Sequence, residues 1–274
     1  MTRWKPMAAT MLAFAILCGG AARADDEDCQ PADMEHYVPG GDECLAIKTY
    51  LPADVGSAKR VVIVLHGDLS RGGPADYIFP LAERAAELGQ IGIAMMRVGY
   101  SGDGRRSTGT PSRQENRNDM YTADEFDAAA EAAKALKAHY SVPEAVMIGH
   151  SGGAATTGVI VGRHPGLLQR VLLIACPCDI DKWRQLRGRN PWPRAESPDD
   201  YIDDILPGTV VRLLVGSRDN NTYPDLSEDY EEDARARGLD VRLYKVDGAG
   251  HNLNESMVGS DVFNEALTEI IAGE

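Results

Sequence analysis

The sequence predicts an α/β fold, a mainly parallel sheet with helices on both faces and a short insertion. Apolar runs rich in β-branched residues alternate with amphipathic stretches along nearly the whole chain. No stretch repeats at a fixed period, which excludes a solenoid. About 250 of the 274 residues remain once a targeting segment is set aside, enough for one domain with a well-buried core.

Strand and helix candidates follow one another in the order that parallel crossover connections require. Apolar runs predict strands over residues 44–51, 61–65, 91–98, 145–148, 171–175, 210–215 and 241–246. Amphipathic stretches predict helices over residues 77–88, 123–139, 152–163, 226–237 and 256–271. The helix over 123–139 has the clearest start, because Thr122 and Glu125 stand at the spacing of a capping box.

The first 24 residues have the layout of a secretory signal peptide. Arg3 and Lys5 precede an apolar stretch over residues 7–17, which is too short to span a bilayer stably. Ala22-Arg23-Ala24 fits a cleavage site after Ala24. We therefore expect a single domain over residues 25–274, a periplasmic or secreted location and no stable membrane span.

The chain is acidic, and this charge narrows the choice of partners. The net charge of −14 becomes −17 when the signal peptide and its three cations are removed. Such a chain repels nucleic acid and anionic membrane surfaces. The composition therefore favours a small or neutral substrate as the partner.

Four cysteines remain after cleavage, in what we expect to be an oxidising compartment: Cys29, Cys44, Cys176 and Cys178. They allow three pairings. A bridge between Cys29 and Cys44 is favoured, because it would pin the N-terminal segment onto the first strand. Cys176 and Cys178 stand so close in sequence that a bridge between them is not expected, and no second ligand pair accompanies them to suggest a metal site.

The most informative motif lies where the apolar run 145–148 meets Gly149-His150-Ser151-Gly152-Gly153. This is the G-x-S-x-G pattern of a nucleophile elbow, a sharp strand-to-helix turn whose glycines avoid clashes with the adjoining strand and helix. Such a turn presents its serine at the carboxyl end of the sheet, with a helix N-terminus behind it that favours negative charge. Ser151 is therefore the predicted nucleophile.

A serine hydroxyl needs an adjacent base, and the base needs a third group that fixes its tautomer. Asp219 and His251 each follow a strand candidate directly, which places both at the sheet edge expected for Ser151. The order Ser, Asp, His is the one typical of the predicted architecture. Asp225 is the nearest alternative for the acid, and a simple turn role for Asp219 stays open.

Acyl transfer also needs two N–H donors for the oxyanion of its tetrahedral intermediate. The N–H of Gly152, directly after the nucleophile, is the first predicted donor. The second is expected from the turn that Gly67 permits after the second strand candidate. The N–H of Asp68 is preferred there, and that of Leu69 comes next. His66, at the start of this turn, is expected to make structural hydrogen bonds.

Two segments interrupt the alternation of strands and helices. Residues 99–118, rich in Gly, Ser and Arg, are expected to form a loop over the carboxyl edge of the sheet. Residues 178–207 carry Trp183 and Trp192 without a clear period, which predicts a small lid whose tryptophans line the substrate pocket. A plain surface insertion is the alternative for this second segment.

The motif set resembles that of the α/β-hydrolase superfamily over nearly everything after Cys44. The resemblance rests on His66-Gly67, on the elbow around Ser151, and on Asp219 and His251. Residues 97–102 also resemble the corresponding loop of esterases and dienelactone-hydrolase-like members. Prolyl-oligopeptidase-type relatives usually place a tyrosine at the His66-Gly67 position, and its absence argues against a peptidase.

These features predict an exported serine hydrolase that cleaves a carboxylic ester through an acyl-enzyme on Ser151. His251 acts as general base and then acid, and Asp219 orients it. We expect this chemistry to need no metal ion or organic cofactor, and its partner to be a small ester or a short peptide. Two alternatives stay open: a small peptidase or amidase of the same fold, and a non-catalytic binding module, which the intact Ser-Asp-His set disfavours.

Overall fold

The computed structural model describes Met1 and residues 33–110 and 121–273. The strands in chain order are β1 (Tyr37–Gly40), β2 (Glu43–Tyr50), β3 (Arg60–Leu65), β4 (Ile91–Met95), β5 (Ser101–Gly102), β6 (Arg105–Arg106), β7 (Glu144–His150), β8 (Arg170–Ile174), β9 (Val210–Gly216) and β10 (Asp240–Val246). The α-helices are α1 (Phe79–Glu87), α2 (Ala123–Tyr140), α3 (Gly152–Arg163), α4 (Ile180–Leu186), α5 (Pro224–Ala236), α6 (Glu255–Val258) and α7 (Asp261–Ala272). Short 3-10 helices cover Val55–Ser57, Asp76–Ile78 and Pro198–Asp204.

Several sequence-based expectations concern residues outside these ranges. The predicted signal peptide over residues 1–24 lies there apart from Met1, as does Cys29. The predicted loop 99–118 is described only as far as residue 110, where its first part forms the small hairpin of β5 and β6.

One eight-stranded sheet organises the described chain, in the order β1-β2-β4-β3-β7-β8-β9-β10. The β1–β2 and β2–β4 pairs are antiparallel, and every pair from β4–β3 to β9–β10 is parallel. The carboxyl ends of the parallel strands consequently share one edge, where ligands bind in sheets of this kind. The predicted mainly parallel α/β sheet is confirmed.

Each face of the sheet carries its own apolar core. On one face α2, α3 and α5 pack with residues such as Phe126 and Val159, and on the other α1 and α7 pack with residues such as Phe263. Within β3, Ile63 joins the first core and Val64 the second, because successive side chains of a strand point to opposite faces. Among the described helices none is both long and apolar enough to cross a bilayer.

The predicted elements start and end close to the observed ones, with differences that have local causes. The strand predicted over 91–98 ends at Met95, because the Arg97 N–H turns away to donate to His66 Nε2 at 3.0 Å. The helix predicted over 256–271 divides into α6 and α7, separated by Gly259 and Ser260. Helix α2 begins at Ala123 as expected, but the Thr122 side chain makes no capping bond.

The insertion over residues 178–207 has more structure than its composition predicts. It contains α4 and the 3-10 helix Pro198–Asp204. The latter lies directly on α3, where a Cβ added to Gly158 would stand 2.7 Å from Pro198 Cβ, and one added to Gly162 would stand closer still to the Tyr201 carbonyl oxygen. Two glycines of α3 thus permit tight docking of the insertion, while its role as a lid stays a prediction.

Cys176 and Cys178 form a disulfide, so the expectation that they would not bridge is wrong. Their Cα atoms lie 5.1 Å apart, within the range that a disulfide needs. Pro177 between them, and Ala175 before them with φ of 51°, turn the chain sharply at the end of β8. Cys44 is also disulfide-bonded, and its pairing with Cys29 stays a prediction.

Candidate active site

Ser151 occupies the sharp turn between β7 and α3. Its φ of 54° and ψ of −117° lie outside the regions that side-chain-bearing residues favour, a conformation that costs about 1–3 kcal/mol. The turn is held because the Ser151 N–H donates to the carbonyl of Ile174 at 2.8 Å, and α3 begins at the next residue. The strained backbone lifts the hydroxyl out of the sheet edge, as the nucleophile-elbow motif predicts.

Three glycines make room for this turn. A Cβ on Gly149 would overlap the carbonyl group of Gly153, and a Cβ on Gly153 would stand 2.5 Å from the Leu65 carbonyl oxygen. On the facing turn, a Cβ on Gly67 would come within 2.8 Å of Ser151 Cβ. The obstacles are mostly backbone atoms, which cannot move aside as a flexible side chain could.

We expect Gly149→Ala to lower the free energy of unfolding by at least about 3 kcal/mol, because its methyl group meets the backbone of Gly153 and the adjacent Ala154. Urea unfolding measures this change. Gly56→Ala is the matched control, since a Cβ there has only the Asp54 carboxylate nearby, at 3.4 Å, and its cost should stay within about 0.5 kcal/mol. Equal stability of the two variants would contradict the tight elbow.

His251 bridges Ser151 and Asp219. Its Nε2 lies 3.0 Å from Ser151 Oγ and its Nδ1 lies 2.9 Å from Asp219 Oδ2. A carboxylate can only accept, so it selects the tautomer with the proton on Nδ1 and leaves the Nε2 lone pair facing the serine hydroxyl. The structure thus brings together the three predicted residues in the geometry that proton transfer from a serine requires.

Asp219 is held by more than the histidine. Its side chain is fully buried, and its Oδ1 accepts hydrogen bonds from the N–H groups of Asn221 at 2.8 Å and Thr222 at 3.0 Å. Burial alone would raise the pKa of Asp219, but the hydrogen bonds from His251, Asn221 and Thr222 outweigh it, so this pKa is lowered. The carboxylate is therefore charged at neutral pH.

Two further observations complete the acid's surroundings. The Thr222 hydroxyl lies 2.9 Å from Asp219 Oδ2 and 3.1 Å from His251 Nδ1, a contact that the sequence did not indicate. Asp225, the alternative acid, lies exposed in the first turn of α5, while the bond from the histidine goes to Asp219. Asp219 therefore does both: its Oδ1 stabilises the turn, and its Oδ2 accepts the hydrogen bond of His251.

The predicted oxyanion donors lie beside the nucleophile. Gly152 is the first residue of α3, where the N–H has no partner within the helix. The Asp68 carboxylate lies against Gly152; its Oδ1 accepts from Arg97 Nη1 at 3.2 Å and its Oδ2 from the Tyr121 hydroxyl at 2.9 Å. The positive charge of the buried Arg97 offsets the negative charge of the Asp68 carboxylate next to the site. The donor roles of the Gly152 and Asp68 N–H groups stay predictions.

His66 has the structural role that the sequence predicts. Its Nδ1–H donates to the Gly67 carbonyl at 2.7 Å, and its Nε2 accepts from the Arg97 N–H at 3.0 Å. Burial lowers the pKa of His66 to about 3, so the ring is neutral. It thereby joins the turn after β3 to the segment after β4.

A cleft of about 710 Å³ opens over Ser151. Most of the residues along it are polar or charged. It is lined by Gly67, Asp68, Leu69, Ser70, Arg71, Gly72, Tyr77, His150, Ser151, Trp183, Arg187, Asn220, Asn221, His251, Asn252 and Leu253. The insertion contributes Trp183, which the sequence predicts at the pocket, and Arg187, which it does not.

Of the two tryptophans predicted to contact substrate, the structure brings only Trp183 to the cleft. Its Nε1–H donates to the Asn221 carbonyl at 2.8 Å, which ties the insertion to the loop that carries Asp219. Trp192 is buried behind it, with 6.1 Å between the centroids of the two indole rings. The guanidinium of Arg184 lies over the Trp192 ring, 3.8 Å from its centroid. Its large apolar ring is packed into the core rather than offered to a ligand.

Solved esterases share this architecture. Est1E from Butyrivibrio proteoclasticus has a TM-score of 0.63 at 14% identity, over 86% of this chain and 98% of its own; a second structure of Est1E holds ferulic acid. Esterase Pf2001 from Pyrococcus furiosus has a TM-score of 0.63 at 16% identity, over 86% and 91%. Esterase Est2 from Thermogutta terrifontis, with propionate bound, has a TM-score of 0.60 at 18% identity, over 86% and 94%. No family model and no curated protein matches the sequence.

These likenesses show that the chain has the α/β-hydrolase fold, which confirms the predicted resemblance at the level of the fold. The structural neighbours are esterases, and the protein is esterase-like in its architecture. At these sequence identities the comparison concerns the fold, and an argument about activity has to come from the site itself.

Proposed function

We propose that the protein is an exported serine hydrolase that cleaves a carboxylic ester. The observation that carries the proposal is the continuous chain of contacts from Ser151 Oγ through both nitrogens of His251 to the buried Asp219 carboxylate. Such a chain turns a weakly nucleophilic hydroxyl into one that can attack a carbonyl carbon.

In the proposed reaction His251 Nε2 removes the proton from Ser151 Oγ while Oγ bonds to the ester carbonyl carbon. The resulting oxyanion accepts hydrogen bonds from the N–H groups of Gly152 and Asp68. Collapse of this intermediate breaks the bond to the alcohol oxygen, which takes the proton from His251. His251 then takes a proton from a water molecule as its oxygen attacks the acyl carbon, and returns that proton to Ser151 Oγ as the bond between Oγ and the acyl carbon breaks, which releases the carboxylic acid and restores the serine.

The substrate we propose is a small ester. The cleft of about 710 Å³ suits a molecule of that size, and its polar lining suits an acyl or alcohol part that makes hydrogen bonds. Ferulic acid bound to Est1E and propionate bound to Est2 are acids of the kind that such an ester would release. The acidic chain makes nucleic acid an unfavourable partner.

Matched substrates separate this proposal from the peptidase alternative. We expect turnover of each of a series of p-nitrophenyl esters and no measurable turnover of the p-nitroanilide of the same acyl group, since p-nitrophenoxide is much the better leaving group and a peptidase or amidase would cleave both. Both series are measured with wild type and with Ser151→Ala as the blank. Turnover of the anilides above the Ser151→Ala blank would favour a peptidase or amidase, and no turnover of either series would favour a non-catalytic binding module.

We also propose that the enzyme acts outside the cytoplasm. The charged, apolar and small-residue segments of residues 1–24 support export, with cleavage after Ala24. The Cys176–Cys178 disulfide is consistent with an oxidising compartment.

A further inference from the structure

His150, the variable residue of the elbow motif, is buried and uses both ring nitrogens. Its Nε2 lies 2.9 Å from the main-chain carbonyl oxygen of His251. Its Nδ1 lies 2.9 Å from the hydroxyl of Tyr77, and that hydroxyl accepts from the Gly67 N–H at 2.6 Å. A line of hydrogen bonds therefore runs from the turn after β3, through two side chains, to the main chain of the proposed base.

The chemistry of the end groups fixes the direction of every bond in this line. The His251 carbonyl can only accept, so the proton of His150 is on Nε2 and Nδ1 presents a lone pair. The Gly67 N–H can only donate, so the Tyr77 oxygen accepts there and its own proton goes to His150 Nδ1. Burial, together with the nearby His251, lowers the pKa of His150 to about 4, in keeping with a neutral ring.

The line joins parts of the site that the sheet leaves unconnected. His251 follows β10, whereas Ser151 follows β7, and β8 and β9 lie between these strands. No strand pairing therefore sets the His251 main chain against the elbow directly. His150 spans this gap. Tyr77 lies in the 3-10 helix Asp76–Ile78 and extends the connection to Gly67, in the turn after β3.

We propose that Tyr77 and His150 are positioning residues. They hold the loop after β10, which carries His251, and the turn after β3, which carries Gly67, in fixed positions relative to Ser151. The proposal rests on the proposed hydrolase function. It implies that the imidazole keeps its 3.0 Å approach to Ser151 Oγ because its main chain is tied to the elbow. It also implies that the Tyr77 hydroxyl donates to His150, so Tyr77 cannot donate to the oxyanion although it lines the cleft.

Tyr77→Phe tests the proposal with the removal of a single oxygen atom. We expect kcat for a p-nitrophenyl ester to fall about tenfold with KM changed by less than about twofold, since the loss is one of geometry in the transition state rather than of substrate binding. Tyr244→Phe is the matched control: its hydroxyl donates to Glu269 of α7, from a strand separated from β7 by β8 and β9, and kcat should be unchanged. Thermal unfolding of both variants is followed in parallel.

Replacements of His150 separate positioning from plain packing. We expect His150→Phe to lower kcat about a hundredfold, because the His251 carbonyl loses its donor. His150→Gln can place an N–H near the former Nε2 and should recover most of that loss. The double variant Tyr77→Phe/His150→Phe should be no slower than His150→Phe alone, because the His150 replacement already removes the hydrogen bonds to both Tyr77 and His251.

Three results would overturn the proposal: an unchanged kcat in Tyr77→Phe, a KM increase at constant kcat, or no recovery in His150→Gln when it is as stable as wild type. A failure of the proposed function is distinct from these. It would appear as wild-type protein that hydrolyses no ester and does not react with a fluorophosphonate, whatever the behaviour of the Tyr77 and His150 variants.

Discussion

Ser151→Ala should lower kcat for ester hydrolysis by about a million-fold, the scale seen when the nucleophile of a catalytic triad is removed. The reason is that Ser151 Oγ is the hydroxyl 3.0 Å from His251 Nε2, and alanine has no hydroxyl to offer in its place. Without an acyl-enzyme, only a direct attack by water within the cleft remains. Initial rates with a p-nitrophenyl ester, under substrate saturation, measure the change.

The control for this variant is Ser256→Ala, since Ser256 is exposed on α6 and bonds to Asn254 instead of the site. We expect its kcat to match that of wild type. Circular dichroism and the thermal midpoint of each variant show that the fold is retained. If Ser151→Ala kept more than about a hundredth of the wild-type kcat, the nucleophile would have to be another residue.

Asp219→Asn should lower kcat by about ten-thousand-fold. An asparagine can keep its oxygen toward the N–H groups of Asn221 and Thr222, which leaves the amide nitrogen facing His251 Nδ1. That nitrogen donates where the carboxylate accepted, so His251 carries its proton on Nε2 and cannot take the proton of Ser151. The pKa of Asp219 is lowered, so wild type keeps this carboxylate charged as the pH falls from neutral to its usual titration range.

Asp225→Asn is the matched control for the acid, because the sequence alone left Asp225 as an alternative. It lies exposed on α5 and should have wild-type kcat. Rates of both variants are compared on one ester at several pH values between 5 and 9. A large loss in Asp225→Asn, together with a small one in Asp219→Asn, would reverse the assignment of the acid.

The sheet and the elbow could be predicted because their determinants are local. The run before Gly149 is apolar and β-branched, the glycines around Ser151 admit a turn that other residues would block, and a helix-compatible stretch follows. Asp219 and His251 could be placed since residues that directly follow parallel strands share one edge of the sheet. The observed chain of contacts follows from that common edge.

Contacts between residues that are far apart in the sequence cannot be predicted from a local pattern. Tyr77 and His150 are 73 positions apart, and no local pattern marks their hydrogen bond. Composition alone predicts Trp192 at the cleft, whereas its environment in the core is set by Trp183 and Arg184. The Cys176–Cys178 bridge is a different case, because it is local: it depends on the sharp turn at Ala175 and Pro177, which the spacing of the two cysteines does not indicate.

The central claim is that Ser151, activated by His251 and Asp219, is the nucleophile. Fluorophosphonate labelling followed by peptide mass spectrometry tests it most directly, with wild type, Ser151→Ala and Asp219→Asn treated side by side. We predict one phosphonyl adduct, on Ser151, that forms rapidly in wild type, much more slowly in Asp219→Asn, and not at all in Ser151→Ala. An adduct on a different residue, or equal labelling rates in wild type and Asp219→Asn, would contradict the claim.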